Sequence, residues 1–310
     1  MCMMEIKPPI LKQGDTIGIV TLGSPLEATT INTGIQTLND LGFKIILGNS
    51  VYTYDGFLAG TDEERASDLM EMFMNDEVDM ILPTRGGVGV KGILPYLDYS
   101  AIKNNPKIIS GYSDITVLLN TLSQFSNLIT FHSLLLLNFT YNTPAYNYDQ
   151  FFSATSTITS PRQIQNPPTI PQVSRVAGNV TGPVVGGNLT SFIGTLGTPY
   201  EIDTTGKILF LEETNEPINT VYRYLNSLKL AGKFEDCIGI VMGECTGCVN
   251  SYGESYEDLI NEFLIPLGKP LMTNLASAHG FYKASIPIGA TVNLNTWNNA
   301  LTILESAVSV

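Results

Sequence analysis

The spacing of hydrophobic residues in the first half of the chain predicts strands that alternate with helices. Short apolar runs bounded by glycine or proline are typical of buried strands, and the segments between them repeat their apolar residues at helical spacing. Strands and helices that alternate in this way indicate right-handed crossovers and a parallel sheet. The predicted strands are Thr16–Val20, Lys44–Gly48 and Asp79–Pro83, and the predicted helices are Glu27–Leu41 and Asp62–Asn75, the second with Thr61 and Glu64 at capping-box spacing.

A further strand-to-helix transition places a serine on a sharp turn. The apolar run Lys107–Ser110 is followed by Gly111, and a helical pattern begins at Asp114, so Ser113 lies on the turn between them. Such a turn holds a hydroxyl at the carboxyl end of a strand, next to free N–H groups at the helix start, which is where a nucleophile is expected. The alternative is that Ser113 only caps the helix, and the segment lacks the second glycine of G-x-S-x-G.

A glycine-rich loop, Thr84–Gly92, follows the strand that should neighbour the Ser113 strand. Gly87, Gly89 and Gly92 satisfy G-x-G-x-x-G, but the motif comes late in the domain, without a clear acidic residue about 20 positions on. Three interpretations stay open: a dinucleotide site, a tight turn, or a loop whose bare N–H groups stabilise an oxyanion. The expected position beside Ser113 is compatible with the last of these.

The character of the sequence changes after residue 153. Residues 154–176 lose all periodicity and are rich in Ser, Thr, Pro and Gln, so we interpret them as a linker between an N-terminal domain (1–153) and a C-terminal domain (177–310). The second domain has short β-rich runs separated by glycine, which predicts a smaller mixed sheet, barrel-like in form. Its predicted strands include Gly182–Asn188, Ile208–Leu211, Ile238–Met242 and Ala290–Leu294, and its predicted helices are Thr220–Leu230 and Tyr256–Phe263.

A serine nucleophile needs a general base and an acceptor that orients the base. The chain has only two histidines: His132 ends a predicted strand, and His279 lies in a loop of small residues. Glu212 and Glu213 end the apolar strand that begins at Lys207, and a carboxylate at the end of a buried strand is an exception to the usual exposure of glutamate. The alternatives are a surface histidine and a solvated strand end.

Composition limits the classes of partner. The formal charge is −13, from 29 acidic and 16 basic residues, and the lysines and arginines are scattered, which disfavours nucleic acids and anionic membrane surfaces. Hydrophobic residues make up 44% of the chain, no apolar run is long enough to span a bilayer, and no secretory signal is recognised. We therefore expect a globular cytoplasmic protein without a nucleic-acid or membrane partner.

The cysteines do not form a disulfide framework for a chain of this length, which agrees with a reducing compartment. They are Cys2, Cys237, Cys245 and Cys248. The last two match C-x-x-C, but they follow a late apolar run and lack two further zinc ligands at a compact spacing. We interpret this pair as structural, with a redox or metal role as the alternative.

Several of these blocks, in this order, resemble the serine LD-carboxypeptidases, also called muramoyltetrapeptide carboxypeptidases, to which the microcin C self-immunity hydrolases are closely related. The resemblance covers most of the chain, from Leu11 to Gly289. The chain departs from the family pattern at Val88, Ser133 and Ala278, near the expected substrate. The matching blocks are Arg85–Gly89, Gly111–Thr116, Gly186–Leu189, Leu211–Glu213 with Glu216-Pro217, and His279-Gly280.

The resemblance implies a role for each matched position. The nucleophile falls on Ser113, the acid on Glu212 and the base on His279, and the oxyanion donors are the backbone N–H groups of Gly87 and Asp114. It also implies an N-terminal parallel-sheet domain, flavodoxin-like or amidotransferase-like, that supplies the serine, and a C-terminal β-rich domain that supplies the acid and base. The candidate substrate contacts are Arg85, Gly86, Asn188 and Arg223, of which Arg223 has a structural salt bridge as its alternative role.

The implied activity is hydrolysis of the amide bond between the L-centre of a diamino acid and the terminal D-alanine of murein tetrapeptides during cell-wall recycling. The resemblance implies a homodimer, and the reaction needs no metal or organic cofactor. One alternative keeps the triad but acts on an aminoacyl-nucleotide antibiotic; the lone tryptophan, Trp297, comes after the catalytic blocks and gives that interpretation no support. The other alternative is a binding protein, or a nucleotide-dependent enzyme that uses the glycine loop.

Overall fold

The computed structural model describes residues 5–158 and 160–310, which form two compact units. The first unit contains the described residues up to Ile158 together with Ser285–Gly289 and Ala307–Val310. The second contains residues 160–284 and Ala290–Ser306. Cys2, and Thr159 within the predicted linker, lie outside the described residues.

The predicted strands and helices are confirmed, with small shifts at their ends. The predicted helix Tyr256–Phe263 begins as an α-helix and continues as a π-helix over Ile260–Leu264. The strands are β1 (Thr16–Val20), β2 (Lys44–Leu47), β3 (Met80–Pro83), β4 (Ile108–Gly111), β5 (Thr130–His132), β6 (Arg162–Ile164), β7 (Val173–Val176), β8 (Asn179–Asn188), β9 (Ile208–Thr214), β10 (Gly239–Thr246), β11 (Leu271–Leu275), β12 (Ile286–Ile288), β13 (Thr291–Asn295) and β14 (Ala300–Ile303). The α-helices are α1 (Ala28–Asp40), α2 (Asp62–Met74), α3 (Val90–Ile93), α4 (Tyr99–Asn104), α5 (Ile115–Ser126), α6 (Ala145–Thr155), α7 (Leu189–Ile193), α8 (Ile218–Leu230), α9 (Lys233–Asp236) and α10 (Tyr256–Leu259).

The first unit is built on a six-stranded sheet in the order β12-β5-β4-β3-β1-β2. Strands β1 to β5 are all parallel, and their order, 2-1-3-4-5, is the flavodoxin-like one. Strand β12 adds an antiparallel edge beside β5. Strands β1, β3 and β4 are buried along their whole length, as expected for a sheet covered on both faces. Because β3 and β4 are parallel neighbours, the segments that follow them leave the same edge of the sheet.

Helix α2 links the capping box predicted from the sequence to the glycine-rich loop. The Oγ1 of Thr61 accepts a hydrogen bond from the Glu64 N–H at 3.2 Å, and the Glu64 carboxylate accepts one from the Thr61 N–H at 2.8 Å, so the helix begins at Asp62. In its first turn the buried guanidinium of Arg65 donates to the carbonyl oxygens of Leu22 and, at 3.0 Å, of Gly89. The helix start thus holds the end of the glycine loop.

The second unit is built on an eight-stranded sheet in the order β6-β14-β13-β8-β9-β10-β11-β7. Strands β8 to β11 are parallel and the other pairs are antiparallel, which confirms the predicted mixed sheet. The prediction of a smaller sheet is wrong, because this sheet has eight strands and that of the first unit has six. The predicted barrel-like form is not found among the described residues, since the sheet is open, with β6 at one edge and β7 at the other. Both edge strands lie inside the stretch 154–176 that we interpreted as a linker. An edge strand pairs on one side only and tolerates polar residues, which is why these two lack an apolar pattern.

Helix α8 covers one face of this sheet. Its buried residues Ile218, Val221, Leu225 and Leu228 belong to one core cluster with Leu209 and Leu211 of β9. Burial of each such side chain contributes about 1.5–3 kcal/mol. Because side chains alternate along a strand, Glu213 lies on the face of Leu209 and Leu211, and Glu212 lies on the opposite face.

Cys245 and Cys248 are joined by a disulfide at the end of β10. The bond is not predicted by the sequence pattern, which indicates only a structural role for the pair. Cys237 is a buried free thiol, and burial raises its pKa to about 11. None of the helices in the described part of the chain combines the length and apolar character needed to cross a bilayer.

Candidate active site

Ser113 lies at the turn between β4 and α5 in a strained backbone conformation. Its φ of 62° is in the left-handed region, which costs a non-glycine residue about 1–3 kcal/mol. The N-cap position of α5 is occupied by Asp114, so the rival interpretation of Ser113 as the capping residue does not match the helix start. Strain of this kind is found at nucleophile elbows, where a sharp strand-to-helix turn presents the hydroxyl.

The glycine-rich loop lies directly against this turn, in the same unit. A Cβ added at Gly86 would lie 2.7 Å from the Cβ of Ser113 and 2.9 Å from the backbone nitrogen of Asp114, so only glycine fits there. The Asp114 carboxylate accepts a hydrogen bond from the Val90 N–H at 2.8 Å, which ties the start of α3 to the turn. Gly87, with a φ of 76°, follows directly, so the loop and the turn place Gly86, Gly87, Ser113 and Asp114 close together.

In the second unit His279 is hydrogen-bonded to a buried carboxylate. Its Nδ1 lies 2.8 Å from Oε2 of Glu212, whose residue is only 1% exposed, whereas the imidazole side chain is 18% exposed. With the carboxylate ionised, Nδ1–H is the donor and Nε2 is left as the basic nitrogen. A histidine oriented in this way can remove a proton from a hydroxyl and return it to a leaving group.

The adjacent glutamate has a different set of contacts. The carboxylate of Glu213 accepts hydrogen bonds from the Thr190 N–H at 2.8 Å, the Thr190 hydroxyl at 2.7 Å, the Asn188 side-chain amide at 3.1 Å and the Thr214 N–H at 2.8 Å. Burial raises the pKa of Glu213, and these hydrogen bonds oppose that shift. Glu213 therefore holds the beginning of α7, on the side of the sheet that faces away from Glu212.

Both halves of the chain match models of one protein family. The LD-carboxypeptidase N-terminal domain matches residues 17–133, and the LD-carboxypeptidase C-terminal domain matches residues 181–294. A probable murein peptide carboxypeptidase of Bacillus subtilis is 36% identical to the chain, over 99% of it and 96% of the relative. The chain belongs to the LD-carboxypeptidase family. The members of this family are serine peptidases, which confirms the resemblance drawn from the sequence blocks.

A second relative is a self-immunity protein. The microcin C7 self-immunity protein MccF of Escherichia coli is 30% identical over 96% of this chain and 96% of the relative. A solved structure of MccF in complex with glutamyl sulfamoyl guanosine matches with a TM-score of 0.91 at 27% identity, covering 98% of this chain and 99% of that one. The fold predicted from the sequence, mixed α/β with a mainly parallel first sheet, is confirmed by this match.

The four candidate substrate contacts have different environments. Gly86 is buried against Ser113, and the half-buried Arg85 donates to the Pro25 carbonyl at 3.4 Å. Asn188 is buried; its Oδ1 caps α7 and its amide contacts Glu213. Arg223 is exposed on α8. Their substrate roles stay predictions.

The other histidine of the chain lies in the first unit. His132 is fully buried in β5, with its ring tilted against Tyr112.

Two charged residues near His279 were not predicted from the sequence. Glu244 follows Gly243 in β10, and its Oε2 is buried without a hydrogen-bond partner among the described residues, in the place where a Cβ at Gly280 would be. Lys283 is 9% exposed, and burial lowers its pKa to about 8. The sequence signal for Lys283 was a lone cation four positions after His279, between aromatic and small residues.

Proposed function

We propose that this protein is a serine carboxypeptidase that removes the terminal D-alanine from murein tetrapeptides, with Ser113, His279 and Glu212 as its catalytic triad. The observation that carries the proposal is the 2.8 Å hydrogen bond between Nδ1 of His279 and Glu212, since it orients an imidazole as a general base. The strained turn at Ser113 supports the choice of nucleophile. The murein substrate class is taken from the Bacillus subtilis relative, which matches along almost the whole chain.

The proposed reaction passes through an acyl-enzyme. The Oγ of Ser113 attacks the carbonyl carbon of the L-centre while Nε2 of His279 takes its proton, and the proton is then given to the nitrogen of the departing D-alanine. Nε2 of His279 then takes a proton from a water molecule, which attacks the ester carbonyl, and returns the proton to the Oγ of Ser113 as the shortened peptide leaves. Glu212 keeps the imidazole in the required tautomer and stabilises its protonated form. General base catalysis of this kind contributes about 10²–10⁴-fold to the rate.

The oxyanion of each tetrahedral intermediate is assigned to the backbone N–H groups of Gly87 and Asp114. The closeness of Gly86 to Ser113 supports this assignment, since Gly87 is the next residue along the loop. A single donor of this type is worth about 3–4 kcal/mol of transition-state stabilisation. Because bare backbone donors do not reorganise during the reaction, a glycine loop suits this role.

The substrate carries a free carboxylate, and the protein has a formal charge of −13, so binding requires a local cation. The two candidates are Arg85 and Arg223. Arg85 is the better supported, because it directly precedes Gly86, which contacts Ser113. Its half-buried guanidinium is suited to a bidentate contact with a carboxylate. We assign the terminal carboxylate of the peptide to Arg85.

The test is to incubate the purified protein with a murein tetrapeptide and to weigh the products by mass spectrometry. We expect loss of one alanine with the wild type and no measurable loss with S113A or H279A. A fluorophosphonate probe should add one adduct on Ser113. The control variant S67A, which removes an exposed serine, should be labelled to the same extent as the wild type. Turnover of the tetrapeptide by S113A at the wild-type rate would overturn the proposal.

A second candidate function is hydrolysis of an aminoacyl-nucleotide. It is supported by the match, at a TM-score of 0.91, to the structure of MccF in complex with glutamyl sulfamoyl guanosine. The two candidates share the triad and differ in the leaving group. Competition separates them: glutamyl sulfamoyl guanosine should inhibit tetrapeptide hydrolysis strongly only if a nucleoside occupies the leaving-group side. Weak or absent inhibition, together with tetrapeptide turnover, favours the carboxypeptidase.

Two finer expectations accompany the proposal. We propose a cytoplasmic location, where murein fragments would be recycled, and a homodimer. Cell fractionation tests the first, and light scattering after size-exclusion chromatography tests the second.

A further inference from the structure

The residues next to His279 in its loop have few side-chain atoms to hold it. It leaves the sheet after β11 and returns at Ala284, whose N–H donates to the Ala276 carbonyl at 2.9 Å and closes the loop. The residues beside His279 are small: Ser277, Ala278 and Gly280. Since these side chains offer little surface for packing, hydrogen bonds to the backbone of the loop help to fix the position of the imidazole.

Lys283 supplies such hydrogen bonds from inside the loop. Its Nζ donates to the Ala278 carbonyl at 2.6 Å and also to the Gly280 carbonyl. These two carbonyls belong to the residues immediately before and after His279. Two carbonyl oxygens that converge on one point repel each other, and an ammonium group between them replaces that repulsion with two charge-assisted hydrogen bonds.

The backbone beside His279 is strained, and Lys283 acts on the strained residue. Ala278 has a φ of 49°, in the left-handed region that non-glycine residues rarely adopt, and it is 2% exposed. Such a conformation persists only where the surroundings over-determine it. The hydrogen bond to the Ala278 carbonyl is one such constraint, and the Gly280 N–H, which donates to the Ser277 carbonyl at 3.1 Å, is another.

We propose that Lys283 is a positioning residue for the catalytic base, holding Nδ1 of His279 on Glu212 by joining the carbonyls on both sides of the histidine. The inference rests on the proposed function, in which His279 is the base. The charged groups that act on Lys283 are the carboxylates of Glu244 and Glu212. The Glu244 carboxylate, from β10, lies against Gly280 of the His279 loop. Lys283 itself does not touch substrate in this proposal.

The test is K283M, which keeps the length of the side chain and removes its donors. The matched control is K107M: Lys107 is 8% exposed, and its Nζ donates to the carbonyls of Asn75 and Val78, so the control loses an equally buried lysine with two backbone contacts. With tetrapeptide as substrate, K283M should lower kcat by about 10–100-fold and change KM little, because misplacement of a catalytic group acts on the transition state. K107M should keep the wild-type kcat per folded molecule.

A spectroscopic readout separates positioning from general destabilisation. An imidazole Nδ1–H bonded to a carboxylate gives a far-downfield proton resonance, and ¹⁵N-histidine labelling assigns it because the chain has only two histidines. We expect this resonance to be present in the wild type and K107M, to broaden or vanish in K283M, and to return in part in K283R. A K283M enzyme with wild-type kcat and an intact resonance would overturn the inference while leaving the proposed function standing. Full activity of H279A would instead overturn the proposed function.

Discussion

Gly243 lies directly beside Glu212 on the neighbouring strand. A Cβ added at Gly243 would lie 2.9 Å from the Cβ of Glu212 and 2.6 Å from the Oγ of Ser277. The pairing of β9 with β10 shifts here: Leu211 pairs with Met242 and Glu213 with Cys245, so two residues of β10 oppose Glu212. Bulges of this kind re-aim side chains next to active sites. The bulge and the missing side chain at position 243 together leave room for the carboxylate that orients His279.

The first prediction is that G243A lowers catalysis without unfolding the protein. The added methyl group must displace Glu212 or Ser277, and a displacement of about 1 Å in a catalytic group costs about 10²-fold in rate. The measurement is kcat with tetrapeptide, with thermal unfolding of the same samples. The control is G239A in the same strand, where the new Cβ would meet Val180 at 2.9 Å and Leu294 at 3.0 Å. If G239A and G243A lose kcat equally, the effect belongs to the sheet and not to Glu212.

The second prediction separates the two adjacent glutamates. E212Q removes the charge that orients and stabilises the imidazole, so kcat should fall by about 10²–10⁴-fold with little change in stability. E213Q places an amide N–H₂ among the donors of Asn188, Thr190 and Thr214, so it should cost about 1–3 kcal/mol of unfolding free energy and leave most of kcat. Urea denaturation and steady-state kinetics on both variants decide the matter. The reverse pattern would assign the acid to Glu213.

The two glutamates also show how far the sequence leads. The apolar run before them predicts a buried strand, and alternation along a strand places neighbouring side chains on opposite faces. The pattern does not say which face carries the site, because this depends on helix α8 packing against Leu209 and Leu211. The choice of Glu212 in the sequence analysis therefore came from the family resemblance and not from periodicity.

Other features depend on contacts between residues that are distant in sequence, and the local pattern does not encode them. Strands β6 and β7 have no apolar alternation, since each is an edge strand with one neighbour, so the stretch that contains them resembles a linker. Lys283 is an ordinary lysine in the sequence, and its importance comes from the fold of the loop around its ammonium group. Ser113 is the opposite case, because the strand, glycine and helix around it are all local signals.

The third prediction concerns the strain at Ser113. Glycine adopts a φ of 62° without steric cost, so S113G should raise the unfolding free energy by about 1 kcal/mol relative to S113A, although both variants lack the proposed nucleophile. The unfolded S113A chain has less conformational entropy than the unfolded S113G chain, which favours folding of S113A and so reduces this gain. The comparison of the two inactive variants by urea denaturation removes any contribution of the hydroxyl. An S113G protein less stable than S113A would mean that the strain at this turn is smaller than the difference in unfolded-state entropy between the two variants.

The fourth prediction is the pH dependence of stability that arises from Lys283. Burial lowers the pKa of Lys283 to about 8, against an ordinary value of 10.5 that we assign to the unfolded chain. Between these values the unfolded chain binds more protons than the native protein, so the contribution of this group to the unfolding free energy rises with pH, by up to about 3 kcal/mol. Below pH 8 the native protein bears the full cost of a buried ammonium group.

This contribution is measured as the difference in unfolding free energy between the wild type and K283M in urea, at several values from pH 7 to pH 10.5. The difference should increase in favour of the wild type as pH rises. The control variant K44M, which removes an exposed lysine, should show the same pH dependence of the unfolding free energy as the wild type. A difference that falls with pH would mean that the hydrogen bonds from the ammonium group to Ala278 and Gly280 outweigh its burial. A lysine kept in the loop of the proposed base His279 at a cost in stability is what selection for catalysis predicts, since functional residues are often suboptimal for folding.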